Sequence, residues 1–290
     1  MKNKIIIILI IILVIIYLYN NNCESFITEK TDKNNDIELS RIYNNKIENI
    51  CFVISHKYYR THNSFIKLYI DNIQKFYSQS LILICDNNSK YFSDIKDLLK
   101  DYNNIIFIDN NTACKFEIGA YKCGINYILN NNILDKYEYY VFAQDNFIIN
   151  KKYDFNNLLN NNVLACTINS YYQDGQNYDV VKEILTSIGL FDNLDKITFC
   201  YSNSFILHKS KLIYFMDLTK NIVITNRYQS CASERYLARI LYELNNHKNF
   251  DIDGDIRDLK YNGWNVDFNS NINSFFVKKL QQKNENTQDN

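Results

Sequence analysis

The sequence predicts an α/β fold with a mostly parallel, doubly wound sheet, and three observations predict it. Short apolar runs of strand length alternate with amphipathic stretches of helix length from Ile50 onward. The strand runs are apolar throughout, as expected of strands buried on both faces. Each run then stops on polar residues: Ser55-His56, Asp86-Asn87-Asn88-Ser89, Asp109-Asn110 and Gln144-Asp145-Asn146. In open sheets of this class, ligands bind in the crevice beyond the carboxyl ends of the strands.

The elements follow in order. Ile50 to Ser55 reads as the first strand, and the stretch from about His62 to Tyr77 as a helix. Its expected apolar face is Phe65, Leu68, Tyr69, Ile73 and Phe76. Leu81 to Cys85 is a strand, Tyr91 to Lys100 a helix, and Ile105 to Ile108 a strand. A helix from about Gly119 to Leu129 leads to the aromatic strand Tyr139-Tyr140-Val141-Phe142-Ala143. Beyond Phe147 the alternation loosens. Val163 to Ile168 and Phe199 to His208 read as strands, with helices from Val180 to Ile188 and Ser210 to Asp217. Ala232 to Leu244 is a strongly periodic helix, with Ser233 placed to cap it.

Length and composition set outer bounds. At 290 residues the chain is long enough for a full α/β core. Lys+Arg and Asp+Glu are equal at 32 each, so nothing argues for a nucleic-acid partner. There is no Pro, which removes the usual helix-stop signal and softens the expected boundaries. Asn runs such as Asn130 to Asn132 follow from a compositional bias and carry little meaning.

Lys2 and Lys4 precede an apolar run from Ile5 to about Tyr19. As a helix it spans about 22 Å, short of a ~30 Å hydrocarbon core but within reach of a thin bilayer. No small-residue cleavage site follows at Asn20-Asn21-Asn22-Cys23, so a signal anchor is expected over 1–22. A cleaved signal peptide is the competing reading. The basic flank stays cytoplasmic, placing the remainder on the lumenal or extracytoplasmic side of a single-pass protein. A polar stem is expected over 23–49, a domain over 50–280 and a tail over 281–290.

The 8 Cys include no Cys-x-x-Cys pair, and 4 His are too few for an obvious zinc set. Cys114 and Cys123 flank a candidate site loop and would pair only in an oxidising lumen. Asn87 and Asn110 head sequons that would be acceptors there, although Asn87 lies in the candidate site.

The residues that carry chemistry sit at the strand ends. Gln144-Asp145-Asn146 places a carboxylate between two amides, a set able to hold a divalent ion and its attached phosphates or hydroxyls. A polar turn is the plain alternative. With Asp86 at the second strand end and Glu234 on the late helix, the arrangement resembles the GT-A class of glycosyltransferases, its family-2-like members in particular. The similarity runs from about Ile50 to Leu244. Phe116-Glu117-Ile118-Gly119-Ala120-Tyr121-Lys122 is also similar to a segment of rhamnan-synthesis glycosyltransferases.

The resemblance implies a GT-A (Rossmann-like) fold, a nucleotide-sugar donor and a glycan or glycoprotein acceptor. It implies that Asp86 and Asn88 meet the nucleoside and that Glu117, Gly119 and Lys122 line the donor site. Gln144, Asp145 and Asn146 stand where the family carries Asp-x-Asp, so Asp145 would anchor Mn²⁺ or Mg²⁺. Glu234 would be the catalytic base of an inverting transfer, with Asp174 as the alternate base. The sequence departs from the family in having one carboxylate at each of the two acidic motifs. That leaves room for a metal-free variant in which Lys122 or Arg60 offsets the diphosphate charge.

Plain readings stand beside these. Asp86 to Ser89 is also an ordinary turn, and Glu234 a carboxylate that complements a helix dipole. Gly119 permits a tight entry to a helix, while Lys122 and Arg60 are solvated cations. His56 and His208 read as strand-end or core histidines, and Trp264 and the tyrosines as aromatic core. A catalytically silent sugar- or nucleotide-binding domain is the alternative function. A nucleotidyltransferase or phosphotransferase is a third.

Overall fold

The computed structural model describes residues 50–57, 63–149, 151–153, 155, 163–171, 177–191, 196–248, 251–255 and 276–278. The expected anchor, stem and tail lie outside these residues, as do Arg60, Asp174 and Trp264. Among the described residues, no helix is long and apolar enough to cross a membrane.

The strands are β1 (Ile50–His56), β2 (Leu81–Asp86), β3 (Ile105–Asp109), β4 (Tyr139–Gln144), β5 (Phe147–Ile149), β6 (Val163–Tyr171), β7 (Lys196–His208), β8 (Asp251–Asp255) and β9 (Phe276–Lys278). The helices are α1 (Asn63–Phe76), α2 (Phe92–Leu98), α3 (Phe116–Asn130), α4 (Tyr178–Ser187), α5 (Lys209–Thr219) and α6 (Arg227–Leu244). A 7-stranded sheet runs in the order β3-β2-β1-β4-β7-β6-β8, and β5 pairs with β9 apart from it. Strands β1 to β4 are parallel, β7 is antiparallel to β4 and β6, and β8 is parallel to β6. The sheet is therefore mixed, mostly parallel and flanked by helices. The chain steps outward from β1 to β3, then returns to place β4 on the other side of β1. That reversal makes the carboxyl ends of β1 and β4 the switch point of the sheet, where such folds open a crevice.

Alternate residues of each strand feed two separate cores, which is why the runs are apolar throughout. Cys51, Val53, Leu83, Cys85, Tyr140, Phe142, Phe205 and Leu207 pack with α3, α4, α5 and α6 on one face. Phe52, Ile54, Ile82, Ile84, Val141, Ala143 and Ile206 pack with α1, α2 and β5 on the other. Gly124 permits α3 to lie against β1 and β2: a Cβ there would stand 2.5 Å from Val53 Cγ1 and 3.1 Å from Cys85 Sγ.

Two expectations are corrected, and one strand, β5, is added. The buried stripe of α1 is Ile66, Tyr69, Ile70 and Ile73, so the helix is rotated from the expected face and Leu68 is 38% exposed. The Tyr139 run ends at Gln144 and a separate strand β5 takes Phe147. The last helix starts at Arg227, not near Ala232. Its cap is Asn226, whose side chain accepts from Gln229 N at 2.9 Å, while Gln229 Oε1 accepts from Thr225 N at 2.8 Å. Ser233 and Glu234 thus lie well inside α6, and neither a capping role for the one nor a helix-dipole role for the other survives.

Candidate active site

The strand ends do converge. His56, Asp86 and Asp145 stand side by side on the α1/α2 face of β1, β2 and the turn after β4. His56 pairs in register with Asp86, and the Asp145 amide donates to Ser55 O at 3.0 Å. His56 Nδ1 lies 2.7 Å from Asp145 Oδ2, and the Lys57 amide donates to the same oxygen at 3.1 Å. Asp86 is 1% exposed. Its Oδ2 accepts from Ser89 N and its Oδ1 from Ser89 Oγ, each at 2.6 Å, closing a turn in which Asn88 takes φ 60°. Lys57 Nζ donates to the carbonyls of Asn87 and Asn88, holding that turn against β1.

A second polar set occupies the opposite face of the same sheet end. Gln144 Nε2 donates to Glu117 Oε1 at 2.7 Å, and Ser230 Oγ donates to Glu117 Oε2 at 3.2 Å. Strand β4, the first turn of α3 and the start of α6 are joined through one carboxylate. Tyr121, one turn along α3, is fully buried and its hydroxyl has no hydrogen-bond partner among the described residues. Burial pushes its phenol well above the ordinary range, and the charges of Glu117 and Asp145 add to this.

Glu234 lies one helical turn beyond Ser230, about 6 Å along α6. Its Oε1 accepts from the Ser202 amide at 2.8 Å. Ser202 and Asn203 have φ of 51° and 54°, a kink in β7 that turns that amide toward the helix. Ser233 Oγ donates to Asn203 Oδ1 at 3.0 Å and steadies the same kink. Arg235 stacks its guanidinium 4.4 Å over the Phe199 ring and donates to Cys231 O.

Two expected donor-site residues are engaged elsewhere. Lys122 Nζ donates to the carbonyls of Thr219, Lys220 and Ile222 at 3.1, 2.8 and 3.0 Å. Its ammonium caps the C-terminus of α5, where carbonyls lack helical partners. Burial holds its pKa below the usual lysine value. Gly119 faces the loop before α3: a Cβ would stand 2.1 Å from Cys114 O and 2.7 Å from Asn110 Nδ2.

That loop is held by Asn110, which is 0% exposed and donates to Asn87 Oδ1 and Cys114 O. Its amide is part of the interior, so a sequon at this position is not an acceptor in the folded chain. Cys114 and Cys123 are free thiols: Cys114 Sγ accepts from Ile224 N, and Cys123 Sγ donates to Asn110 Oδ1. Burial raises the thiols of Cys85 and Cys200 well above their ordinary pKa, which leaves them inert.

A divalent cation of the Mn²⁺ or Mg²⁺ type takes about six oxygens. Asp145 has one carboxylate oxygen that takes no hydrogen bond from the described residues. The adjoining Asn146 has a buried Oδ1 without a donor among the described residues. These two oxygens fit a cation completed by phosphate oxygens of a ligand and water. No group of three or more His, Cys, Asp or Glu side chains able to hold a metal occurs among the described residues.

His56 is the site residue that sequence reasoning missed, because a lone histidine after an apolar strand has no spacing signal. Asn110 was passed over as a sequon, and Ser230 lay ahead of the expected helix start.

No protein-family model matches the chain, and no curated protein matches it in sequence. Solved structures to which it is similar include glycosyltransferases. One is the galactosyltransferase LgtC in complex with donor and acceptor sugar analogs, at 10% identity and TM-score 0.36 over 66% of this chain and 70% of that one. Another is the bifunctional WbbM, at 13% and 0.36 over 67% of this chain and 37% of that one. A third is the mannosyltransferase Ktr4p from S. cerevisiae, at 10% and 0.38 over 67% and 61%.

Proposed function

We propose that the chain is a glycosyltransferase that moves a sugar from a nucleotide-sugar donor to a glycan or glycoprotein acceptor, with inversion. The observation that carries this reading is the placement of Asp145, Glu117 and Glu234 at one end of the sheet, each held by its own hydrogen bond: to His56, Gln144 and the Ser202 amide. The apolar run Ile5 to Tyr19 would anchor it in a membrane with the domain on the lumenal or extracytoplasmic side.

In this reading Asp86 and Asn88 border the nucleoside, while Gln144 and Glu117 border the ribose or donor sugar. An acceptor hydroxyl attacks the anomeric carbon as the bond to the β-phosphate oxygen breaks, and its electron pair leaves on the nucleoside diphosphate. Glu234 takes the hydroxyl proton. The Ser202 amide fixes the orientation of its carboxylate. A cation bound by Asp145 and Asn146 would supply positive charge to the departing diphosphate. Asp174 remains the alternate base, in a stretch outside the described residues.

One feature favours a binding-only reading: Gln144-Asp145-Asn146 and Ser233-Glu234-Arg235 each carry a single carboxylate where the resembled motifs carry two. Nucleotide-sugar hydrolysis by the full chain in detergent, over a donor panel with Mn²⁺, Mg²⁺ or EDTA, separates the two. Release of nucleoside diphosphate from one donor, lost in Asp145→Ala, supports the transferase. Thermal stabilisation by nucleotide without turnover supports the silent domain, and release of pyrophosphate from an NTP supplied with a sugar phosphate supports a nucleotidyltransferase.

A further inference from the structure

Residues Ser55, His56 and Lys57 grip Asp145 from three directions. The Asp145 amide donates to Ser55 O, and its Oδ2 receives both His56 Nδ1 and the Lys57 amide. A carboxylate only accepts, so Nδ1 carries the proton. The other ring nitrogen does not share this duty: His56 Nε2 is buried without a hydrogen-bond partner among the described residues and stands 4.0 Å from Asp86 Oδ1. The ring is 1% exposed, and Phe92 packs 5.9 Å from it, centroid to centroid. Asp145 itself is 13% exposed, with Oδ1 as the atom left to meet a ligand.

We propose that His56 is a positioning residue for the transfer. By holding Oδ2 through Nδ1, it locks Asp145 in the rotamer that turns Oδ1 toward the donor site, where that oxygen would hold a divalent cation. A histidine that merely filled the core would have no need of a bond to the one carboxylate at this strand end. This inference rests on the transferase reading above.

The test uses the full chain in detergent and the donor found by hydrolysis, with His56→Asn, His56→Gln and His56→Leu. The Asn side-chain nitrogen falls near the place of Nδ1, whereas the Gln amide reaches toward that of Nε2. His56→Asn is expected to keep kcat within about threefold, while Gln and Leu lose on the order of 10²-fold, the cost of a misplaced group. The loss should fall on kcat more than KM, because Asp145 acts on the leaving group, and thermal unfolding checks that each variant is folded. Wild-type-like kcat in His56→Leu, or an Asn variant as impaired as Leu, overturns the assignment. A wild type that turns over no donor removes the transferase reading and this inference with it, an outcome distinct from turnover that ignores His56.

Discussion

Gln144 and Glu117, 27 residues apart, meet at 2.7 Å with the amide donating to the carboxylate. The bond fastens the end of β4 to the first turn of α3, and Ser230 completes it from α6. Glu117→Ala leaves two half-buried donors without an acceptor and should cost about 1–3 kcal/mol. A cycle with Gln144→Ala, measured by denaturant unfolding, should show coupling of about 0.5–3 kcal/mol. Additivity of the two changes would mean the pair does not hold the strand end.

Lys122 supplies a second prediction that separates structure from chemistry. Its ammonium bonds three carbonyls at the end of α5. Lys122→Met should lower stability by about 1.5–3 kcal/mol, as for hydrogen bonds to a charged group, and leave donor KM unchanged. A rise in KM at unchanged stability would restore the diphosphate role expected from sequence.

The sequence announced the sheet end more clearly than the chemistry placed on it. Apolar runs that stop at Ser55, Asp86, Asp109 and Gln144 located the four parallel strands, because burial on both faces leaves no polar position within them. The start of α6 was missed although Asn226-x-x-Gln229 is a capping pattern, since Ser233 offered a second cap nearer the periodic residues. Lys122 and Gly119 were drawn to the donor site by family position. Their real neighbours, the end of α5 and Cys114 O, are set by tertiary packing that no local spacing encodes. The same holds for His56, whose partner is 89 residues away.

Gly119→Ala should be costly despite the good helix propensity of alanine. The added Cβ would stand 2.1 Å from a backbone oxygen, which cannot rotate away. Overpacking of this kind costs about 1–3 kcal/mol, and the Cys114 loop would have to move. A thermal midpoint equal to wild type would show that the loop yields freely.

Glu138 sets an acid-side prediction. Burial raises its pKa, but hydrogen bonds from Lys209 at 2.9 Å and from His208 outweigh burial and hold it below the usual 4.5. A folded value below the unfolded one means the stabilisation is present above about pH 4.5 and is lost as pH falls through the folded value. With the carboxylate 40% exposed, solvent screening limits the pair to about 0–1 kcal/mol. Glu138→Gln should therefore unfold slightly earlier at pH 7, with the gap closing as pH falls below about 4.5. A gap that widens on acidification would contradict the assignment.

Glu234 carries the sharpest test of the chemistry. It sits mid-helix, a turn beyond Ser230, with the Ser202 amide on Oε1 from a kinked β7. Glu234→Gln keeps an acceptor oxygen for that amide, so folding and nucleotide binding should persist. Removal of a general base lowers rate by about 10²–10⁴-fold, so transfer to an acceptor should fall by that factor while donor KM stays near wild type. Transfer to an acceptor separates the two candidate bases: a Glu234→Gln enzyme that still transfers, paired with an inactive Asp174→Asn, would move the base to Asp174. Equal loss of nucleotide binding and transfer in Glu234→Gln would instead make the residue a support for the β7 kink, held there by Ser202 and not by any proton it accepts.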